Sequence, residues 1–423
     1  MRNITFTDAN QPEKGQTVVV GMSGGVDSTL TALLLQEKGC TVIGVTMSTW
    51  NGDIPLEHSP DKIKNSCYSP DEEFEIEKCK IFCKEHNIEY HVIDVKDAYK
   101  KEVLEYFKSE YRSGRTPNPC IRCNPSVKFG ALLDKVEEMG IKYDYFCTGH
   151  YAKIERITEN IFNLYNEDED KAENIIQSME KAGFKVTKNP LIIANADDAT
   201  KDQAYFLYRL SSERLEKIRF PLSQKKKTEV FELAREKKLA AAEQNESQDF
   251  VPPDVWEMLL ADKPAKTGNI IDLQGNILGR HRGIEYYTIG QRRGLGVSST
   301  QPLYVQSIDE KNNCIVLGDN DSLLCTGLIA EDWVWAGNYP PEKPFEGMVK
   351  IRLASKPILA KIEPFYDEIF SQETGITKEN FKYKKYKITF DTPQRAVAPG
   401  QSAVVYLQGK TVGGGIISCA IHE

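Results

Sequence analysis

Two clusters of residues carry chemistry that the rest of the chain must serve. The first is Gly21-Met22-Ser23-Gly24-Gly25-Val26-Asp27-Ser28, set between an apolar run and a helical pattern. Glycines let the backbone approach an anion and adopt turns closed to other residues. Successive N–H groups and the N-terminus of the following helix then bind phosphate. The hydroxyls of Ser23, Ser28 and Thr29 can add donors. No Gly-x-x-x-x-Gly-Lys-Ser/Thr pattern occurs, so this is not a Walker-type loop. The second cluster is Cys120-Ile121-Arg122-Cys123. That spacing suits iron–sulfur ligation first, and second a persulfide carrier with a resolving partner, for which a lowered thiol pKa is expected. A zinc site would want four ligands, and no second Cys-x-x-Cys exists to supply them.

The elements that position these clusters alternate in type. Thr17–Gly21 reads as a buried strand and Thr41–Met47 as a second, with Leu30, Leu33 and Leu34 at helical spacing between them. A helix carries Phe74, Cys79, Phe82 and Cys83, then come the strand Glu89–Val95 and a helix through Val103, Leu104 and Phe107. A short strand ends at Gly149. Strands alternating with helices imply an α/β fold with a doubly wound parallel sheet. After Trp333 the pattern becomes β: five or six short runs separated by Gly and Pro suggest a small barrel or sandwich.

Composition bounds the class. With 423 residues, 40% hydrophobic and 27% charged, the chain is an ordinary globular protein of two or three domains. No apolar run approaches the roughly 20 residues of a membrane helix, and no secretory signal is visible, so a reducing cytoplasm with free thiols is expected for the ten cysteines. Cys40, Cys79, Cys83, Cys314, Cys325 and Cys419 read as core packing. The formal net charge of −8 argues at first against a nucleic-acid partner. Local balance says otherwise: residues 159–180 hold seven acids and one lysine, and residues 53–77 hold eight acids and two lysines. Residues 209–238 carry ten Lys and Arg against five Glu, a basic run able to steer an anionic partner. Segment 159–180 reads as a solvated surface insertion.

The loop Gly21–Ser28 resembles that of the ATP-pyrophosphatases, which adenylate a carbonyl or carboxylate oxygen and cleave ATP between the α- and β-phosphates. Further segments narrow the resemblance to the tRNA 2-thiouridylase family. They are Thr116–Asn124, Lys128-Phe129-Gly130, Thr148-Gly149-His150-Tyr151-Ala152, Lys201–Leu207, Glu246-Ser247-Gln248-Asp249, Tyr287–Gly296 and Pro393–Gln401. The resemblance implies an adenylation domain over 1–220, carrying the acidic insertion at about 159–200, with 240–258 packing back on it. It further implies a central tRNA-contacting domain over 221–332 and a C-terminal β-barrel over 333–423. By position, the loop from Gly21 to Ser28, Met47 and Gly149 would bind ATP, with Asp27 acting through Mg²⁺ or by orienting the loop. Asn118, Pro119 and Cys120 would meet the target base, with His150 close to the reacting nucleotide. Lys201, Asp202, Gln203, Arg352 and Gln401 would contact tRNA in its anticodon region. A sulfur donor or carrier protein, or sulfide, is the remaining partner implied.

The chain also departs from that family pattern. Cys123 matches the family's nucleophile, but Cys120 stands where Asp is usual. Val251 stands where the family's second, persulfide-bearing cysteine belongs, so the usual relay is unavailable. Three readings follow: a [4Fe-4S] cluster on Cys120, Cys123 and Cys67; a persulfide on Cys120 resolved by Cys123; or a degenerate protein that only binds tRNA or nucleotide. Another ATP-pyrophosphatase ligase is the remaining enzymatic alternative.

Overall fold

A computed structural model of the chain describes residues 4–52, 54, 67–181, 185–243, 250–251, 253–365 and 385–422. The Glu246–Asp249 motif and much of the acidic stretch 53–77 lie outside the described residues.

The N-terminal layer follows the alternation read from the sequence. Its elements are β1 (Thr17–Gly21), α1 (Val26–Glu37), β2 (Thr41–Ser48), α2 (Glu72–Glu85), β3 (Glu89–Asp94), α3 (Pro119–Cys123), β4 (Tyr145–Cys147), β5 (Ile218–Arg219) and α4 (Lys227–Glu236). The strands pair in the order β3-β2-β1-β4-β5, all parallel. Val18, Val19 and Val20 are wholly buried, as a parallel strand covered on both faces requires. Strand order reverses between β1 and β4, and a crevice opens beyond the carboxyl ends of strands at such a point. The phosphate-loop candidate leaves β1 there, and Thr148-Gly149-His150 leaves β4 beside it.

A helical run through Lys96–Tyr99, a π-helical stretch Lys100–Glu105 and Tyr106–Arg112 buries Val103, Leu104 and Phe107. On α2, Cys79 and Cys83 are buried but Phe74 is 52% exposed. Residues 222–242 pack on α1: Leu222, Val230 and Ala234 share a core with Leu30 and Leu33. Helix Pro253–Leu260 packs back on the helical run, with Trp256 edge-on to Tyr111.

Two β-structures complete the molecule. The first is a four-stranded sheet of Ile277–His281, Gly268–Asp272, Cys314–Gly318 and Tyr304–Asp309. The second is a closed antiparallel barrel that begins before Trp333, with strand Leu324–Trp335. It runs through Tyr386–Arg395, Ile358–Pro364 and Phe345–Lys350, and closes because Ser402–Leu407 pairs with both Phe345–Lys350 and Lys410–Ile421.

The acidic insertion is not a solvated appendage. Strands Lys153–Ile157 and Leu191–Ala194, with Phe6–Asp8 at their edge, extend the barrel sheet. Helix Glu169–Lys181 between them buries Ala172, Ile175, Ile176 and Met179 in the barrel's core. Burying each of the larger side chains contributes about 1.5–3 kcal/mol. Glu167 fastens the join: its carboxylate accepts the hydroxyl of Tyr339 and the N–H of Glu342, each at 2.5 Å. Net acidity hid a helix whose apolar face repeats every three to four residues.

Candidate active site

The loop after β1 is built to hold an anion. Gly24 takes a φ of +76°, which a side chain would strain, and the N-cap of α1 is Gly25 with no side-chain cap, so first-turn N–H groups stay available. Two hydroxyls expected to add donors are spent otherwise: Ser28 Oγ and Thr29 Oγ1 donate to the Gly25 carbonyl at 3.0 and 3.1 Å. Ser28 Oγ also accepts the Ser23 N–H at 3.2 Å, so both side chains brace the turn. Ser23 alone of the three is exposed. Met22 and Val26 are buried packing residues, and Met47 at the end of β2 is half-buried.

Gly149 is a position where the backbone must come close. A Cβ there would lie 2.6 Å from the Cβ of Asp27 and 2.8 Å from its carbonyl carbon. The β4 loop thereby closes over Asp27, whose carboxylate is shared. Oδ1 accepts the Tyr151 hydroxyl at 2.8 Å, and both oxygens receive the Lys227 ammonium at 2.8 Å. His150 packs its ring against Phe129 and Phe220 and bonds Thr148 Oγ1 through Nδ1 at 2.7 Å. Burial, helped by the charge of Lys128, holds this imidazole well below its usual range, so it is neutral at physiological pH.

The thiols sit on α3. Asn118 caps it, its Oδ1 accepting the Ile121 N–H, and Pro119 occupies the first turn where its missing N–H costs nothing. A π-helical stretch, Asn124–Ala131, continues directly from Cys123. Gly130 is required there, since a Cβ would meet the Pro125 carbonyl at 2.6 Å. Burial pushes the Cys120 thiol up to about 11 and the Cys123 thiol up to about 12, Cys67 adds to both, and Lys128 opposes. The lowered thiol pKa expected of a Cys-x-x-Cys pair is therefore not found, because lost hydration outweighs one lysine and a five-residue helix.

Cys67 is exposed on the loop before α2, and Tyr99 is wholly buried, which holds its hydroxyl well above the usual range. Among the described residues, no three His, Cys, Asp or Glu side chains converge as a metal-binding group. The donor chemistry suits an iron–sulfur cluster, but the third thiol does not close on the other two. Val251 is 8% exposed and shares a core with Tyr99 and Phe107. Its neighbour Phe250 stacks 6.4 Å from Tyr99. Of the other cysteines, Cys40, Cys79, Cys83, Cys147 and Cys325 are buried, whereas Cys419 is exposed and Cys314 half-buried, so core packing does not describe those two.

The segment leading into α3 is clasped by both β-structures. Thr116 donates its N–H to Pro399 of the barrel at 2.7 Å, and Gly114 packs on Ile308 of the central sheet. Gln401 Nε2 donates to the carbonyls of Thr116 at 2.8 Å and Pro117 at 3.4 Å. Gln203 is likewise engaged: its Oε1 accepts the Tyr151 N–H at 2.9 Å. Asp202 Oδ1 accepts the Ala196 N–H at 2.9 Å, and burial raises its pKa. Lys201 is half-buried, while Arg352 is exposed on the barrel. Half of the ten cations in the basic run 209–238 pair with carboxylates elsewhere in the chain: Arg209 with Asp332, Arg214 with Asp134, Lys217 with Glu137, Lys237 with Glu37 and Lys227 with Asp27. Arg219 is buried on backbone carbonyls. Much of that run is scaffold, not a steering field.

Sequence reasoning passed over several residues. Lys227 had one signal, a cation in the first turn of a helix where the dipole disfavours it. Glu72 had none. Its carboxylate accepts Ser48 Oγ at 2.7 Å, the Thr49 N–H at 2.6 Å and hydroxyl at 2.7 Å, and the Trp50 N–H at 3.0 Å. Thr49 Oγ1 also bonds the Cys67 carbonyl at 3.1 Å, so this knot anchors the loop bearing Cys67.

Comparison with known proteins gives a consistent outcome. The family model for a "tRNA methyl transferase HUP domain" matches residues 16–251, that for a "tRNA methyl transferase PRC-barrel domain" residues 257–319, and that for an "Aminomethyltransferase beta-barrel domain" residues 325–417. The tRNA-specific 2-thiouridylase MnmA of Endomicrobium trichonymphae is 37% identical over 407 residues, covering 96% of this chain and 99% of the relative. MnmA 1 of Clostridium botulinum (strain Loch Maree) is 38% identical over 409 residues, covering 95% and 98%. Among solved structures, the U34-tRNA thiolase NcsA of Methanococcus maripaludis with its [4Fe-4S] cluster is 20% identical with a TM-score of 0.29, covering 54% of this chain and 58% of that one.

Proposed function

The chain belongs to the tRNA-specific 2-thiouridylase family, and from that premise we propose how its own residues carry out the reaction. It is a tRNA-uridine 2-sulfurtransferase that uses ATP. The observation that carries the residue-level reading is the facing of two loops across the switch point of the sheet. The anion loop Gly21–Ser28 and the Thr148–Tyr151 loop meet at Asp27.

ATP binds with its β- and γ-phosphates on the N–H groups of Gly24, Gly25 and the first turn of α1. Magnesium bound to ATP would supply charge neutralisation at the departing pyrophosphate, with Asp27 as its protein neighbour. The target uridine, proposed as the wobble base, leaves its stack to enter the crevice. Its O2 attacks the α-phosphate, the bond to the β-phosphate breaks, and pyrophosphate remains in the loop. Neutral His150 can donate one hydrogen bond without adding charge beside the base.

Sulfur is held on α3. In the persulfide route, the terminal sulfur on Cys120 attacks the adenylated C2 and AMP leaves. The Cys123 thiolate then attacks the Cys120 sulfur, forming a Cys120–Cys123 disulfide and releasing the 2-thiouridine. An external thiol reduces the disulfide. The raised thiol pKa values make the resolving step slow at neutral pH unless the proton is removed. The raised thiol pKa values motivate a second reading, because a coordinated thiol is deprotonated outright. There Cys67, Cys120 and Cys123 would hold a [4Fe-4S] cluster, although among the described residues the three do not converge as a metal-binding group. No helix among the described residues is long and apolar enough to cross a membrane, and a cytoplasmic enzyme acting on the tRNA anticodon region is the reading we adopt.

Anaerobically purified protein given ATP, Mg²⁺, tRNA, a thiol reductant and either sulfide or a persulfide donor, whose sulfane sulfur would load Cys120, tests this. The expected result is 2-thiouridine in the tRNA and one AMP per thiolation, both abolished in Cys123→Ala. AMP release independent of tRNA would overturn the assignment in favour of another ATP-dependent ligase. Iron content lost in Cys120→Ala selects the cluster, and an iron-free active enzyme selects the persulfide.

A further inference from the structure

Lys227 is the one lysine buried among the described residues, at 7% exposure. Its backbone is pinned: the N–H donates to Asp198 Oδ2 at 2.9 Å, and Glu229 caps the preceding N–H at 3.1 Å. From that fixed point the side chain runs past the rings of Phe231 and Tyr151, with Nζ 5.0 and 5.5 Å from their centroids, and ends on both oxygens of Asp27. Stability is a poor reason for such a pair, since burying the ammonium, even beside a half-buried carboxylate, costs about what their attraction returns. Location is a better one. Asp27 is the second residue of α1, inside the turn whose N–H groups face an incoming anion, where a lone carboxylate would repel it. A buried ammonium needs a counter-charge whenever that anion is absent, and Asp27 supplies one.

We propose that Lys227 is a pyrophosphate-binding residue, held on Asp27 in the nucleotide-free protein and moved onto the β- and γ-phosphates when ATP binds. Only the side chain travels, because the backbone at the start of α4 stays fixed by Asp198. This rests on the reading of Gly21–Ser28 as the seat of those phosphates.

Calorimetric titration of the full chain with inorganic pyrophosphate and, separately, AMP tests it. Lys227→Met should weaken pyrophosphate at least about tenfold, the scale of a lost charge-assisted hydrogen bond. AMP, which lacks both phosphates, should bind as in wild type. With Mg²⁺ excluded by chelator from every titration, so that Asp27 has no metal to hold, Asp27→Asn should bind pyrophosphate as tightly as wild type or more so, because the lysine is released. Unchanged pyrophosphate affinity in a folded Lys227→Met protein overturns the proposal, as does equal loss of AMP and pyrophosphate, which marks a strut. Should Lys227→Met not fold, Asp27→Asn decides alone: weakened pyrophosphate overturns it. Wild-type protein that binds AMP but no pyrophosphate refutes the loop assignment itself.

Discussion

Gln401→Ala separates two roles for one residue. By position in the family it would touch tRNA, but its amide spans from the barrel to the carbonyls of Thr116 and Pro117, immediately before α3. Truncation removes a 2.8 Å hydrogen bond and leaves the Thr116 carbonyl without that donor. A lost bond of this kind costs about 1 kcal/mol, and an orphaned buried acceptor roughly 1–3 kcal/mol. The segment keeps a second tie, Thr116 N–H to Pro399, so it should loosen without unfolding. With productive α3 placement lost by that amount, single-turnover thiolation at saturating tRNA falls by about 5- to 160-fold. The Kd for tRNA, measured by filter binding, should stay within about twofold. Amide exchange at residues 114–118 should rise in step. A weakened Kd with an unchanged single-turnover rate would refute the clasp and restore Gln401 to direct tRNA contact.

Other perturbations follow from the same geometry. Gly149→Ala should abolish detectable ATP binding in calorimetry while leaving the circular dichroism spectrum intact, because its Cβ would strike Asp27 within 2.6 Å. Glu72→Ala should destabilise the protein by about 2–4 kcal/mol in urea titration, for loss of charge-assisted bonds, and should speed alkylation of Cys67. For the α3 thiols, folded pKa values of about 11 and 12 exceed the 9.0 of an ordinary thiol, so the folded state holds protons that the unfolded chain releases. Their contribution is thus fully present below pH 9 and is lost as pH rises through 11 to 12, and Cys120→Ser with Cys123→Ser should flatten that part of the stability curve. Lys128→Met should move iodoacetamide reactivity of both thiols to still higher pH, because Lys128 pulls both pKa values down.

Local pattern made the α/β layer legible. Val18 to Val20 form a continuous apolar run because both faces of a parallel strand are covered. Gly24 sits at a positive φ where only a turn of that kind needs it. Asn118-Pro119 is a helix-start signal written in the chain, but the sequence reading used only the Cys-x-x-Cys spacing, and the helix that carries both thiols came from the structure. The insertion was misjudged because charge counting averages over a helix whose buried face, Ala172 to Met179, is a minority of its residues.

What sequence by itself determined was the family, the anion loop and the thiol pair, because each is a short run whose chemistry follows from neighbours along the chain. What only the tertiary structure decided was partnership across distance. Lys227 meets Asp27 across 200 residues, Gln401 meets Thr116 across 285, and Glu72 ties down the backbone of Cys67 through Thr49. The thiol pKa belongs with these: it depends on water excluded by side chains from several elements, and no spacing along α3 encodes how much is excluded.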